Sequence, residues 1–207
     1  MGYPASIVCF LVLSIASSFA VAADSTADPG KALHKADALE QNAASPQPEA
    51  PVPKADTITK AEVQAVDPQG KESVDDAITC LSRTVYWEAK GGSPADMEAV
   101  ANVVLNRLGH EGFADTVCGV VKQDAHKKNC QFSWWCDGRP DQVVEEDRYV
   151  DAKEVARKAL NQQLEDRTNG ALYFHDKRLS PESFKRYVRT AQTDKFVFYK
   201  PGKDDGK

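Results

Sequence analysis

The chain has 207 residues, of which 42% are hydrophobic and 28% are charged, and its formal net charge is −5 at pH 7. This length accommodates one domain of ordinary size with tails. The chain is not net basic and has no nucleic-acid recognition motif, which argues against a nucleic-acid partner. The sequence also contains no phosphate loop, dinucleotide fingerprint or internal repeat.

An apolar run at the start of the chain predicts export. Residues 5–22 end in the small residues Ala20 and Ala22, as a secretory signal peptide does. We predict cleavage after Ala22, with Ala23 as the alternative, and hence a periplasmic, wall-associated or extracellular protein without stable membrane insertion. An uncleaved anchor is the other interpretation, although the run is short for a membrane span.

The next segment, residues 23–72, is rich in Ala, Pro, Asp, Gln and Lys and has no aromatic residue. Its proline-spaced part, SPQPEAPVPK, favours extended conformations that bury little apolar surface. We predict a disordered linker in which residues 32–44 form at most a transient helix. The catalytic domain would then span residues 73–201, followed by a flexible tail over 202–207.

The first predicted helix of the domain ends near Glu88. Leu81 and Val85 precede Glu88 by seven and three residues, so a helix places the carboxyl group on its apolar face. A carboxyl group there has a raised pKa, which suits a general acid near neutral pH. The alternative is an exposed last carboxylate of an amphipathic helix that stops at Gly91 and Gly92.

A second helix follows at once. Ser93, Pro94 and Asp96 have the pattern of an N-cap, a first-turn proline and a capping-box acid. One apolar stripe continues from them: Met97, Val100, Ala101, Val104, Leu105 and Leu108. The two helices should pack together and leave Glu88 at the mouth of their junction.

Four cysteines remain after signal cleavage, and an even number in an exported domain favours disulfides. Three pairings are possible. We favour Cys130 with Cys136 across a local loop, and Cys80 with Cys118 between the first helix and the segment after the second. A zinc site is the alternative, but the spacing lacks the close cysteine pair of such sites, so we predict no metal.

The middle of the chain combines a short helix with an aromatic segment. Residues 113–123 predict a helical segment that buries valines, and the alternation in CQFSWWCDG predicts a short strand or hairpin arm. Gln131, Trp134 and Trp135 suit sugar binding, because aromatic faces stack on pyranose rings and amides bond hydroxyl and acetamido groups. Alternatively, one tryptophan belongs to the core.

The last third completes an α+β pattern. Residues 147–164 predict a third main helix, and residues 180–188 a shorter one. The segments 171–175 and 195–200 predict two strands that pair with each other. Helices followed by short strands indicate an α+β domain with a small antiparallel sheet.

His175 is the histidine embedded in an apolar strand, where it would either bind substrate or tune Glu88; a purely structural role is the alternative. Residues 177–200 contain seven basic and two acidic side chains. This modest basic patch favours anionic wall polymers as partners.

Four segments in this order, YWEAKG, MEAVANVVLNR, TVCGVVKQ and CQFSWWCDG, resemble the SleB-like (spore-cortex-lytic) family of cell wall hydrolases, and the resemblance covers roughly residues 77–200. It implies a lysozyme-like fold and cleavage of peptidoglycan glycan strands, commonly as lytic transglycosylases. Glu88 corresponds to the family's catalytic acid. The resemblance also implies that Gln131 and Ser133 line the cleft and that Tyr173 and His175 lie near it, and we add Trp134 as a substrate contact.

The sequence offers no second carboxyl group at an evident catalytic position, which fits a mechanism with Glu88 as the one acid and base. Thr84 and Tyr86 are candidates for orienting it, and Tyr86 for contacting substrate. We expect no cofactor and a monomer that acts on glycan strands. The alternatives are a hydrolytic muramidase with the same acid, a cysteine peptidase of wall peptides, and a non-catalytic wall-binding module.

Overall fold

The computed structural model describes residues 27–45, 51–125 and 130–202, so the predicted signal peptide lies outside the described part of the chain. Within these residues there are six α-helices and three strands. The helices are α1 (Pro29–Ala44), α2 (Lys60–Ala65), α3 (Ala77–Glu88), α4 (Pro94–Arg107), α5 (Val117–Lys122) and α6 (Glu146–Leu160). The strands are β1 (Tyr173–Asp176), β2 (Val188–Gln192) and β3 (Phe196–Lys200).

Helix α3 is the centre of the domain. Every residue from Ala77 to Tyr86 is buried, and α1, α4, α5 and α6 all pack against it. Asp76 caps its start by accepting a hydrogen bond from the Thr79 amide at 2.8 Å. A helix that is buried all round is an interior helix, so Glu88, its last residue, lies where this interior helix reaches the surface.

A buried ion pair fixes the rotation of α3. Arg83 donates from Nε to Asp67 Oδ2 at 2.8 Å, and the Tyr149 hydroxyl donates to the same oxygen at 2.5 Å. Burial by itself would raise the pKa of Asp67, but these hydrogen bonds outweigh it and lower the pKa. Both buried charges are therefore satisfied, and α3 is held against α6.

The N-terminus of α4 follows the sequence prediction. Ser93 and Asp96 form the expected capping box, with Pro94 in the first turn. The second carboxylate oxygen of Asp96 accepts a hydrogen bond from the backbone amide of Lys195 at 2.9 Å. One acid thus caps α4 and ties it to the segment that enters β3.

The sheet has the order β1-β3-β2, and both pairs are antiparallel. Tyr173 lies opposite Tyr199 and His175 opposite Val197, which confirms the predicted pairing of the two strands. Strand β2 was not predicted, because its mostly exposed residues lack an apolar alternation. The helix expected over 180–188 is a five-residue 3-10 helix, Glu182–Arg186.

The prediction of a disordered linker is wrong over residues 29–44 and 54–66. Helix α1 buries Ala32, Ala36 and Leu39, and Glu40 accepts a hydrogen bond from the Val117 amide at 2.7 Å. The residues around α2 bury Ile58, Val63 and Val66. Alanines give a helix a weak apolar face, but they allow close packing, and contacts with the rest of the domain stabilise what composition alone does not.

Both predicted disulfides are present. Cys80–Cys118 joins α3 to α5, and Cys130–Cys136 closes a local loop. The strand expected within this loop is wrong: Ser133–Trp135 is a 3-10 turn. The disulfide brings Cα atoms six positions apart to 6.5 Å, whereas an extended strand of that length spans about 20 Å.

The described residues therefore form the mixed α+β domain that the sequence predicts, with α1 as a fourth long helix beside the three main ones. None of their helices combines the length and apolarity that a bilayer crossing needs.

Candidate active site

Glu88 occupies the C-terminal end of α3, where the chain turns away. The Ala89 amide still bonds the Val85 carbonyl, and Gly91 then adopts a left-handed conformation with φ 74°. Glycine adopts this conformation without strain, so the helix stops within three residues of Glu88. The Glu88 side chain is consequently half-buried at the mouth of the α3–α4 junction.

Two cavities share Glu88 in their walls, and the pair is called the groove. The first, of about 510 Å³, is lined by Trp87, Trp134, Asp137 and Asp141 and is called the tryptophan lobe. The second, of about 550 Å³, is lined by Arg107, Gln131, Tyr173 and His175 and is called the tyrosine lobe. Glu88 and Ser133 line both. Each volume is in the range of small-ligand sites, so a chain-like ligand could lie across the carboxyl group.

The environment of Glu88 favours its neutral form. Burial raises its pKa from 4.5 to about 7, while the positive charges of Lys195 and Arg107 act in the opposite direction. No described residue hydrogen-bonds the carboxyl group. Near neutral pH a large fraction of Glu88 is therefore protonated, and no side chain in the described part of the chain accepts its proton.

Lys195 holds the backbone beneath Glu88. Its Nζ donates to the carbonyl oxygens of Glu88 at 2.7 Å and Lys90 at 3.0 Å. A cation at the C-terminus of a helix is favoured by the helix dipole and satisfies carbonyls that have no helical partner. Lys195 was not singled out from the sequence; its position next to Glu88 depends on a contact between residues 107 positions apart.

Five of the predicted substrate-binding residues line the groove. Gln131, Tyr173 and His175 belong to the tyrosine lobe, Trp134 to the tryptophan lobe, and Ser133 to both. His175 is also fixed by contacts of Nδ1 with the Asp176 carbonyl at 2.8 Å and of Nε2 with the Tyr199 hydroxyl at 3.1 Å. The structure thus brings together residues that are up to 87 positions apart from Glu88 in sequence.

The two orienting residues expected near Glu88 lie elsewhere. Tyr86 is buried, and its hydroxyl accepts hydrogen bonds from the amides of Val144 and Glu145 at 3.2 and 3.1 Å, at the start of α6. Thr84 donates to the Cys80 carbonyl within α3 at 2.8 Å. Neither lines a lobe, because one side of α3 faces α6 and the other faces the core, so both have packing contacts in place of the predicted contacts with the site.

The tryptophan lobe has an aromatic wall. The Trp87 indole donates to the Asp141 carbonyl at 3.3 Å, and Trp134 packs edge-on against Trp135. Trp134 is buried, while Trp135 is partly exposed under the ammonium group of Lys122. The Trp134 Nε1 group has no hydrogen-bond partner among the described residues. Trp87 and Trp134 thus give this lobe an aromatic wall.

Three further carboxyl groups border the groove. Asp137 and Asp141 line the tryptophan lobe, and burial raises the pKa of Asp141. Asp176 lines the tyrosine lobe, where hydrogen bonds from Arg178 lower its pKa. Sequence analysis found no second carboxyl group at an evident catalytic position, since the proximity of these three groups to Glu88 arises only on folding.

Arg107 is a further groove residue that sequence reasoning missed. It lies in the last turn of α4, it is 2% exposed, and burial lowers its pKa to about 10. Among the described residues, no group of three side chains has the composition and geometry of a metal site.

Comparison with known proteins connects this chain to one family. The sequence model of a family described as cell wall hydrolases matches residues 91–199, which is just over half of the chain. The match contains α4, the segment 131–134, β1, β2 and all of β3 except Lys200, and it begins three residues after Glu88.

A spore cortex-lytic enzyme of Halalkalibacterium halodurans is 32% identical over 102 residues, which are 48% of this chain and 27% of that protein. The chain thus covers about a quarter of that relative's length.

Two solved structures are also similar. The catalytic domain of the Bacillus cereus SleB protein aligns with a TM-score of 0.49 and 26% identity, over 60% of this chain and 89% of that one. The catalytic domain of the germination-specific lytic transglycosylase SleB from Bacillus anthracis gives the same TM-score and identity, over 60% and 93%.

Proposed function

Because this chain belongs to the cell wall hydrolase family, we propose that it degrades peptidoglycan by cleaving the glycan strand between muramic acid and glucosamine, as a lytic transglycosylase. The observation that carries this proposal is the state of Glu88: a half-buried carboxyl group with a pKa near 7, positioned where two ligand-sized lobes meet. A protonated carboxyl group in the middle of a groove is suited to donate a proton to a bond that crosses it.

In the proposed reaction Glu88 acts first as an acid and then as a base. Its proton goes to the glycosidic oxygen as the bond from that oxygen to C1 of the muramic residue breaks, and the glucosamine end leaves with a free hydroxyl group. The Glu88 carboxylate then takes the proton of the muramic 6-hydroxyl as O6 bonds to C1. The product is a 1,6-anhydro ring, Glu88 is protonated again, and no water is consumed.

The walls of the groove supply groups of the kind that sugars need. Trp87 and Trp134 on one side and Tyr173 on the other present aromatic rings, and Gln131 presents an amide. Rings stack on pyranose faces, and amides exchange hydrogen bonds with acetamido and hydroxyl groups. We assign these residues, with Ser133 and His175, to substrate binding on the two sides of Glu88.

A hydrolytic muramidase is the second candidate. Asp137 and Asp141 line the same lobe as Glu88, and a hydrolase of this type requires a second carboxylate to activate water or to attack C1. This reaction would use the same acid but would end in a reducing muramic residue.

Product analysis distinguishes the two reactions. Purified peptidoglycan is digested with the protein and the soluble muropeptides are analysed by mass spectrometry, which separates anhydro ends from reducing ends by the mass of one water. We expect anhydro ends from the wild type, from Asp137→Asn and from Asp141→Asn, with Asp115→Asn as a control at an exposed site outside the groove. Reducing ends that disappear in one of the two groove variants would establish the hydrolase instead.

We also propose export to the cell wall. Two disulfides hold the described domain together, and disulfides persist in oxidising compartments such as the periplasm or the extracellular space. N-terminal sequencing of the protein recovered from outside the cytoplasm should begin at Ala23 or Asp24; a chain that still begins at residue 1 or 2 would contradict cleavage of the signal.

A further inference from the structure

Arg107 has a buried guanidinium group that is only partly satisfied. Its Nε donates to the Leu172 carbonyl at 2.8 Å, but Nη1 has no hydrogen-bond partner among the described residues. A buried charge normally has a carboxylate partner, because an unpaired charged donor is costly to remove from water. The missing partner is therefore a feature that requires an explanation.

Aromatic rings hold the guanidinium group in place. Its central carbon lies 5.0, 5.1 and 5.8 Å from the ring centroids of Phe113, Phe132 and Tyr173. Cation–π contacts of this kind offset part of the desolvation of the charge but leave N–H groups unbonded. With Nε anchored at the start of β1, the direction of the guanidinium fork is fixed before any ligand binds.

The residue that carries this unpaired donor borders the groove. Arg107 lines the tyrosine lobe together with Glu88, Gln131 and Tyr173. The other basic groups of this lobe in the described part of the chain are engaged: Lys195 bonds two carbonyl oxygens, and both ring nitrogens of His175 have contacts. Asp176, the acidic neighbour in this lobe besides Glu88, is bonded to Arg178. Arg107 is left as a cationic donor with unused capacity.

We propose that Nη1 of Arg107 is a preformed donor for an oxygen acceptor of the saccharide unit bound in the tyrosine lobe. The acceptor is a carbonyl or carboxylate oxygen, the class that guanidinium groups bind best. In a glycan strand it comes either from an acetamido group, which every residue has, or from the lactyl carboxyl group of muramic acid. This inference rests on the proposed function, and it adds the contact that fixes the sugar relative to Glu88.

The test measures binding without turnover. Glu88→Gln serves as the parent, and its affinity is measured by calorimetry for two probes: chitotetraose, which has acetamido groups alone, and glycan strands freed of stem peptides, which also have lactyl carboxylates. Arg107→Lys is then added. Lysine keeps the positive charge and a donor for the Leu172 carbonyl but lacks the end of the fork.

We expect Arg107→Lys to weaken binding by about 10-fold or more. A loss with both probes identifies the acetamido carbonyl as the acceptor, and a loss with the peptide-free glycan alone identifies the carboxylate. Unchanged affinity for both probes would overturn the subsite while leaving the proposed function intact. A parent that binds neither probe would contradict the proposed function and the subsite together.

A measurement on the unsubstituted side chain covers the case in which Arg107→Lys does not fold. The guanidinium ¹⁵N signals of the Glu88→Gln parent are recorded with and without saturating probe. Those of Arg107 should shift, and those of Arg83, which is equally buried but bonded to Asp67, should not. An Arg107 signal that stays in place under saturation would overturn the proposal.

Discussion

Burial links the protonation of Glu88 to the stability of the fold. The carboxyl group titrates near 4.5 when unfolded and near 7 when folded, so the folded state binds its proton more tightly. The group is neutral in both states below pH 4.5. Between pH 4.5 and 7 the carboxyl group ionises in the unfolded state more than in the folded state, so the free energy of unfolding falls as the pH rises. Above pH 7 this loss of stability is complete.

Glu88→Gln should therefore stabilise the protein at pH 8, by about 1–3 kcal/mol, and should have little effect at pH 4. Urea denaturation at the two pH values measures the difference. Glu165→Gln, at an exposed site, is the control and should change the free energy of unfolding little at either pH. A Glu88→Gln protein that is less stable than the wild type at pH 8 would contradict the raised pKa.

Lys195 should set the alkaline limit of activity. Its positive charge lowers the pKa of Glu88, so Lys195→Met should raise that pKa and move the alkaline limb of the pH–rate profile to higher pH. The rate itself should fall, because two carbonyl oxygens lose their donor. Lys195→Arg retains the charge and should keep the limb in place. If the alkaline limb does not move in Lys195→Met, the ionisation of Glu88 does not set that limb.

The sequence made Glu88 identifiable, because helical spacing places it on the face of Leu81 and Val85. The same reasoning could not identify Arg107 or Lys195. A basic residue in the last turn of a helix is ordinary, and the unpaired state of Arg107 depends on Leu172 and three rings from separate segments. Charges with unusual surroundings become visible only when distant segments meet.

The two disulfides close loops of very different length, and they should differ in what they support. Cys80–Cys118 closes a loop of 38 residues between α3 and α5, and Cys130–Cys136 a loop of six within the groove wall. Chain entropy predicts contributions of about 4 and 2 kcal/mol respectively.

Replacing both cysteines of a pair by alanine tests this difference. Cys80→Ala/Cys118→Ala should show the larger loss in the free energy of unfolding. Cys130→Ala/Cys136→Ala should lose less stability. Its rate of release of soluble glycan should fall further than that of the other variant, at a temperature where both are folded, because its loop bears Gln131, Ser133 and Trp134. The reverse ranking in either assay would contradict the assigned roles.

Elements were predictable where local signals and tertiary contacts agree. The capping box of α4 and the paired strands β1 and β3 have strong local patterns, and the structure follows them. Helix α1 has alanines at Ala32 and Ala36 and a single large apolar residue, Leu39, among its buried positions. Its stability derives from partners in α2, α3 and α6, which composition does not reveal.

The N-terminal segment belongs to the folded unit. Asp67 neutralises the buried Arg83, Ile58 exchanges hydrogen bonds with the Asn161 side chain, and Lys153 donates to the Gln64 carbonyl. A chain that starts at residue 73 loses these partners and leaves Arg83 buried without a counter-charge, which costs about 3–5 kcal/mol by itself.

We expect residues 73–207 to be unfolded or aggregated, residues 27–207 to be fully folded, and residues 51–207, which retain Asp67 but lack α1, to be folded with reduced stability. Circular dichroism and thermal melting of the three chains measure this ranking. If residues 73–207 melt cooperatively at the same temperature as residues 27–207, the segment before residue 73 is a linker that the fold does not need.

The most direct measurement for the whole molecule is the release of soluble glycan fragments from purified peptidoglycan at pH 6 by residues 23–207, beside Glu88→Gln and the exposed-site control Glu165→Gln. Wild type and control should release fragments at equal rates, and Glu88→Gln should be at least about 100-fold slower while remaining folded. Equal release by Glu88→Gln would contradict the assignment of Glu88 as the acid, and no release by any of the three would contradict the proposed glycan cleavage.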